Sequence, residues 1–69
     1  MPIYLAEPNL ELEIKRITGL DKIKKQLSNL GFTVGETVEL INVVNENVIV
    51  RVRGVKMALS TELAKRILV

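Results

Sequence analysis

The residues able to do chemistry in this 69-residue chain are few, and their types exclude most reactions at once. There is no histidine, so no serine can be paired with an imidazole base and the commonest general base is missing. There is no cysteine, which removes a thiol nucleophile, a thiolate metal centre and a disulfide scaffold together. Ser28 and Ser60 stand alone and read as surface and helix-cap residues. The eight acids are scattered, with Glu11 and Glu13 as the close pair, sharing one face of a strand. Such a pair can hold a hard cation weakly, but nothing brings further oxygen ligands to the same point, so a solvated strand face accounts for it. Iron or zinc lacks its preferred imidazole and thiolate ligands. Gly31 and Gly35 are not followed by the Gly-Lys-Ser/Thr ending that a phosphate loop needs. The chain reads as a binding protein, with no enzymatic activity, no cofactor and no metal site of its own.

Binding chemistry then rests on the cations. Lys22, Lys24 and Lys25 fall on the outer face of a predicted helix, and Arg51 and Arg53 on a predicted hairpin arm, with Lys15 and Arg16 nearby in sequence. These form a candidate surface for an acidic protein, and the same charges make RNA the competing partner. RNA recognition normally adds aromatic stacking platforms, and the chain has one tyrosine and one phenylalanine, which favours the protein partner over nucleic acid. A net charge of +2 and a pI of about 9.2 do not by themselves demand a polyanion. An alternative surface is an apolar cleft between helix and sheet, which would place Leu27, Leu30 and Met57 nearer the partner, although Met57 reads first as core filler.

The elements that must position these residues follow from hydrophobic period. Leu10, Leu12 and Ile14 alternate with Glu11 and Glu13 as a strand with one charged face, after a turn at Glu7-Pro8-Asn9 whose asparagine suits a left-handed backbone. Tyr4 and Leu5 are expected to pack back on the sheet, and Arg16 to Gly19 to leave it. Asp21 is the expected cap of a helix over Lys22 to Leu30, with Leu20, Ile23, Leu27 and Leu30 as its apolar stripe and Gly31 closing it. Its early lysines oppose the helix dipole, at roughly 0.3 kcal/mol each where exposed. After Gly35, Val38 and Leu40 alternate as a strand whose pattern slips at Leu40-Ile41, the signature of a bulge. Asn45-Glu46-Asn47 is the expected hairpin connection, and Val48, Val50 and Val52 then alternate with Ile49, Arg51 and Arg53 up to Gly54. Val55 to Leu59 makes another strand, Ser60 caps a helical turn over Thr61 to Arg66, and Ile67 to Val69 is a final strand.

No repeat, linker or low-complexity run divides the chain, so residues 1–69 are expected to form a single domain. The fold class is mainly β: a small SH3-like barrel of about five strands with one inserted α-helix and a short helical turn before the last strand. The N-terminus lacks the features of a signal peptide and no apolar run approaches the ~20 residues of a membrane span, which predicts a cytoplasmic protein without direct membrane insertion.

These features resemble the FeoA family over nearly the whole chain. The resemblance is carried by Leu5 with Glu7-Pro8-Asn9, by Ile14-Lys15-Arg16-Ile17 before Gly19, by Leu27-Ser28-Asn29-Leu30-Gly31-Phe32 with Gly35, by Val50-Arg51-Val52-Arg53-Gly54, and by Met57-Ala58-Leu59 ahead of Ala64 to Val69. Asn9 stands where glycine is common in the family and Val34 where proline is common. The resemblance implies an SH3-like domain acting in ferrous iron transport as an accessory protein. Its implied partner is the cytosolic part of a membrane iron transporter carrying a GTPase domain, bound by protein–protein interaction in a pathway of transition metal ion binding. FeoA-like domains also occur at the end of iron-dependent repressors; no helix-turn-helix precedes this one, so a detached regulatory partner is the form that alternative takes. Pairing between copies through strand edges or an apolar cleft is a further possibility for a domain of this size, giving a homo-oligomer. If Glu11 and Glu13 are simply solvated, an NMR titration with a divalent cation is expected to leave their amide signals unmoved; selective shifts at both would establish a weak carboxylate site.

Overall fold

In the computed structural model, which describes Met1–Val69, a 3₁₀ turn at Ile3–Leu5 leads into two short strands, β1 (Glu11–Glu13) and β2 (Arg16–Ile17). Helix α1 (Asp21–Asn29) follows, then the long antiparallel run of β3 (Thr37–Val44), β4 (Asn47–Val52) and β5 (Val55–Ser60). A four-residue helix α2 (Thr61–Ala64) and strand β6 (Ile67–Leu68) complete the chain. The strands form a four-stranded sheet in the order β1-β3-β4-β5 and a two-stranded ribbon of β2 and β6. Arg16-Ile17 thus rejoins the sheet structure as an extra strand, because β6 returns alongside it: Lys15 N–H donates to the Leu68 carbonyl and Thr18 N–H to that of Arg66.

Alternation decides which side chains fill the core. Val38 and Leu40 of β3, Val48, Val50 and Val52 of β4 and Leu59 of β5 point to one face and are buried. The expected slip is present: Leu40 pairs with Val50, but Asn42 pairs with Ile49, so Ile41 is the bulged residue. Beyond it Val43 and Val44 lose the core and are exposed. The β3–β4 turn is tighter than expected, consisting of Asn45-Glu46 alone with Asn45 at φ 56°, and Asn47 already belongs to β4. β1 is shorter than its alternating pattern, since Leu10 is exposed, although Ile14 just beyond it is fully buried. Asn9 takes the anticipated left-handed backbone at φ 64°.

The helix differs most from expectation. Leu20, not Asp21, is the N-cap, and no side chain caps the helix; Asp21 is instead its first residue, where a carboxylate favours the positive end of the dipole and opposes the lysines behind it. Only Leu27 of the expected stripe is buried; Ile23 is half-buried, and Leu30 and especially Leu20, at 77% exposure, face solvent. The reason lies at the C-terminal end. Gly31, at φ 104°, donates its N–H to the Ser28 carbonyl, and Phe32 N–H reaches back to that of Leu27. This paired closure turns the chain inward, so that Phe32 and Leu27 meet in the core with no solvent exposure. The helix is anchored through this end and its first turn is left at the surface.

Near the N-terminus, Ile3 and Ala6 are buried and Tyr4 is half-buried, whereas Leu5 is 61% exposed, because one turn of 3₁₀ helix directs adjacent residues to different sides. At the other end Ser60 caps α2 as expected, its hydroxyl accepting from Leu63 N–H at 3.3 Å, but α2 stops at Ala64 rather than Arg66. Gly31→Ala forces an L side chain into a left-handed backbone, with Arg53 Cδ only 3.2 Å from the new methyl group. The substitution is expected to destabilise the protein by about 1–2 kcal/mol, measured by urea unfolding; an unchanged midpoint would contradict the role given to this turn.

Candidate functional site

The outer face of the sheet is a ladder of charges laid across four strands. Glu11 of β1 stands opposite Glu39 of β3, Glu39 opposite Arg51 of β4, and Arg51 opposite Lys56 of β5. The order is two acids followed by two bases, and the central pair closes: Arg51 Nη1 donates to Glu39 Oε1 at 3.2 Å. Glu39 is well covered, its side chain only 16% exposed, so this bond is worth more than a fully solvated pair, on the order of 1 kcal/mol. The two acids side by side would repel one another, and Arg51 offsets that repulsion.

Arg53 is placed differently from its strand-like sequence pattern. Together with Gly54 it forms the two-residue β4–β5 turn, and both residues have positive φ, 55° and 79°. That turn matches the sheet twist, but it favours asparagine, aspartate or glycine at its first position, and an arginine there carries strain. The Arg53 stem lies over Gly31, at the end of α1, and its Nε sits 4.0 Å from Glu36 Oε2. Val-Arg alternation hides this turn in the sequence; the dipeptide ending in Gly54 is the signal that marks it.

Around these side chains is a cleft of about 240 Å³ lined by Glu11, Glu36, Thr37, Glu39, Arg51 and Arg53, with Val38 and Gly54 completing the wall. The volume is below the ~300 Å³ where drug-sized ligand sites begin. Its charges are largely paired with one another. The three glutamates do not converge into a cluster able to hold a metal ion.

The expected basic surface is therefore split. Arg51 and Arg53 belong to the cleft and are engaged by glutamates, whereas Lys22, Lys24 and Lys25 are exposed on α1 and take part in none of the four ion pairs. Lys22 to Lys25 precede Gly31, beside which Arg53 lies, by six to nine residues, or roughly 9–13 Å along a helix rising 1.5 Å per residue. A further cation that the fold brings to the start of the helix is Arg66, whose Cδ lies 3.5 Å from the position a Gly19 Cβ would take, beside Ile23. Sequence spacing could not show Arg66, since 43 or more residues separate it from the helix start at positions 20–23. In the alternative apolar surface, Leu27 is core, while Leu30 is 41% exposed and Met57 half-buried against the core.

A small antiparallel β domain with one inserted helix and a short helix before its last strand is of the SH3-like, mainly β class. The FeoA domain model matches residues 1–69, and the chain belongs to the FeoA family. A FeoA solved as an iron uptake regulatory protein superposes with a TM-score of 0.86 at 25% identity, covering 97% of this chain and 91% of that one. FeoA of Stenotrophomonas maltophilia, solved with zinc and described as a prokaryotic SH3 domain protein proposed to activate ferrous-iron transport, gives a TM-score of 0.84 at 27% identity, with 99% and 87% covered. Iron(II) transport protein A of Clostridium thermocellum shares the fold, with a TM-score of 0.87 at 21% identity; it is matched over 99% of this chain and 43% of its own. Among curated proteins no match is found. The family is one of non-enzymatic accessory proteins of ferrous-iron transport, and the SH3-like, mainly β architecture expected from pattern is the one observed.

A double-mutant cycle on Glu39 and Arg51 is expected to give a coupling of about 0.5–1 kcal/mol, against a value near zero for the wider pair of Glu36 and Arg53. Equal couplings in urea unfolding would show that distance and burial do not rank the two pairs.

Proposed function

We propose that residues 1–69 act as one FeoA-like domain in the cytoplasm, docking on the cytosolic, GTPase-bearing part of a membrane ferrous-iron transporter and modulating its transport without catalysing a reaction. The observation that carries this reading is the family match across the whole chain. No helix of the chain is long and apolar enough to cross a membrane, which agrees with contact to a transporter from outside the bilayer. Lys22, Lys24 and Lys25 are the first contact residues, because exposed cations without partners keep their full attraction for an acidic surface. Arg51 contributes less, since it would have to give up Glu39, and Arg53 is held in the tight β4–β5 turn with its stem packed over Gly31. Arg66, near the start of the same helix, extends the basic side of the domain. A nucleic-acid reading is weaker: Phe32 is fully buried and Tyr4 half-buried, so no exposed ring is available for base stacking.

The test is an amide NMR titration with the soluble GTPase-bearing part of the iron transporter, with and without nucleotide. Shifts are expected along α1, and replacing Lys22, Lys24 and Lys25 together by glutamate is expected to weaken binding about tenfold or more, or ~1.4 kcal/mol. Arg51→Ala is expected to change it little. Absence of any shift with both this part and the intact transporter would overturn the proposal.

A further inference from the structure

The four-stranded sheet ends on β5, a six-residue strand that pairs with β4 on one side and with nothing on the other. The hairpin register decides which main-chain groups face the open side. Val52 and Val55 flank the two-residue turn and, in such a hairpin, exchange their hydrogen bonds; alternation then makes Val50–Met57 and Val48–Leu59 the next bonded pairs. The N–H and C=O groups of Lys56 and Ala58 therefore point away from β4. Neither residue contributes to any of the 17 backbone hydrogen bonds outside the helices and strands, and both are exposed. At the far end the edge stops where Ser60 turns into α2 and Thr61 N–H donates to the Glu46 carbonyl.

Charge defines what would fit beside it. Along the ladder from Glu11 through Glu39 and Arg51 to Lys56, the inner acid and base satisfy one another, and Lys56 is left at the β5 edge without a counter-charge. On the other face of β5, Val55 is 55% exposed and Met57 half-buried, so the same edge offers apolar cover to alternate residues of a neighbouring strand. We propose that the open edge of β5 takes up an extended segment of a partner protein as a fifth strand of this sheet, with an acidic side chain set beside Lys56 and apolar side chains over Val55 and Met57. Main-chain hydrogen bonds to Lys56 and Ala58 supply affinity, and the alternation of acidic and apolar residues supplies register. A second copy of this chain fits less well. Paired through its own β5, it would bring a second Lys56 to an edge whose own Lys56 already lacks a counter-charge, and no carboxylate with it. Paired through β1, it would make a head-to-tail contact that need not close. The proposal holds whichever protein supplies the strand, and so stands apart from the transporter reading.

The test uses the full chain and a short end-blocked peptide of alternating valine and glutamate, with a valine–lysine peptide as control. With the glutamate peptide at ~10 times its Kd, exchange of the Lys56 and Ala58 amide hydrogens is expected to slow about tenfold, with little change on α1. Lys56→Glu is expected to shift the preference to the lysine peptide. Ala58→Pro removes an outward N–H without breaking a ladder bond and is expected to abolish protection while leaving the circular dichroism spectrum unchanged. Unaltered exchange at both amides with either peptide would overturn the proposal, as would equal protection by the two peptides. Protection that grows with protein concentration in the absence of peptide would overturn it in favour of a second copy. No transporter enters the experiment, so its failure would leave the α1 docking proposal standing.

Discussion

The closure of α1 at Gly31 and Phe32 is the constraint on which the rest of the domain depends. A nine-residue helix has little stability of its own, and this one carries three lysines against the positive end of its dipole. It persists because the turn after it carries Phe32, the largest fully buried side chain, into the same core as Leu27 and the valines of β3 and β4. Burying a phenylalanine is worth about 1.5–3 kcal/mol, well above the roughly 0.3 kcal/mol lost at each exposed lysine. The same turn brings Gly31 against the β4–β5 hairpin, where Val52 and the Arg53 stem border the space a side chain would take. One left-handed residue thus ties the helix, the core and the hairpin together.

The second organising feature is the division of the sheet into an aliphatic inner face and an ionic outer one. Strand alternation makes this division automatic, but the cross-strand register determines which charges meet. Arg51 lands beside Glu39, and two residues that could each have recruited a partner largely neutralise one another. The exposed cations left outside these pairings are the lysines of α1, Arg16 beside β6 and Lys56 on the sheet edge.

Arg53 shows the cost of that arrangement in local terms. Its positive φ and its place in a tight turn are unfavourable for an arginine, and its nearest carboxylate is at 4.0 Å. The compensation visible in the structure is packing, since its stem covers the glycine that closes α1. Glycine or asparagine at this position would relieve the backbone and uncover that contact.

Much of the fold was legible in the sequence because it depends on short-range rules. The period of Val48, Val50 and Val52, the slip at Leu40-Ile41, the glycine after Leu30 and the serine before Thr61 each report a local conformation that this chain adopts. Local rules failed where two elements had to meet. Ile17 pairs with Ile67 across most of the chain's length, Leu20 loses its place in the core because the helix is anchored at its other end, and Arg53 leaves the strand because the hairpin turns there. The candidate site was legible only as a set of residue types. That Lys22, Lys24 and Lys25 form an exposed basic face follows from helical period. That Arg51 is bound to Glu39 and Arg53 lies near Glu36, that Arg66 joins the helix start and that Lys56 is left unpaired follow only from register and docking. The sequence by itself determined most of the secondary elements and which catalytic side chains are missing, since both rest on residue identity and spacing along the chain. Tertiary structure alone decided which charges cancel and which remain free, because electrostatic partnership depends on distances across the fold that sequence separation does not encode.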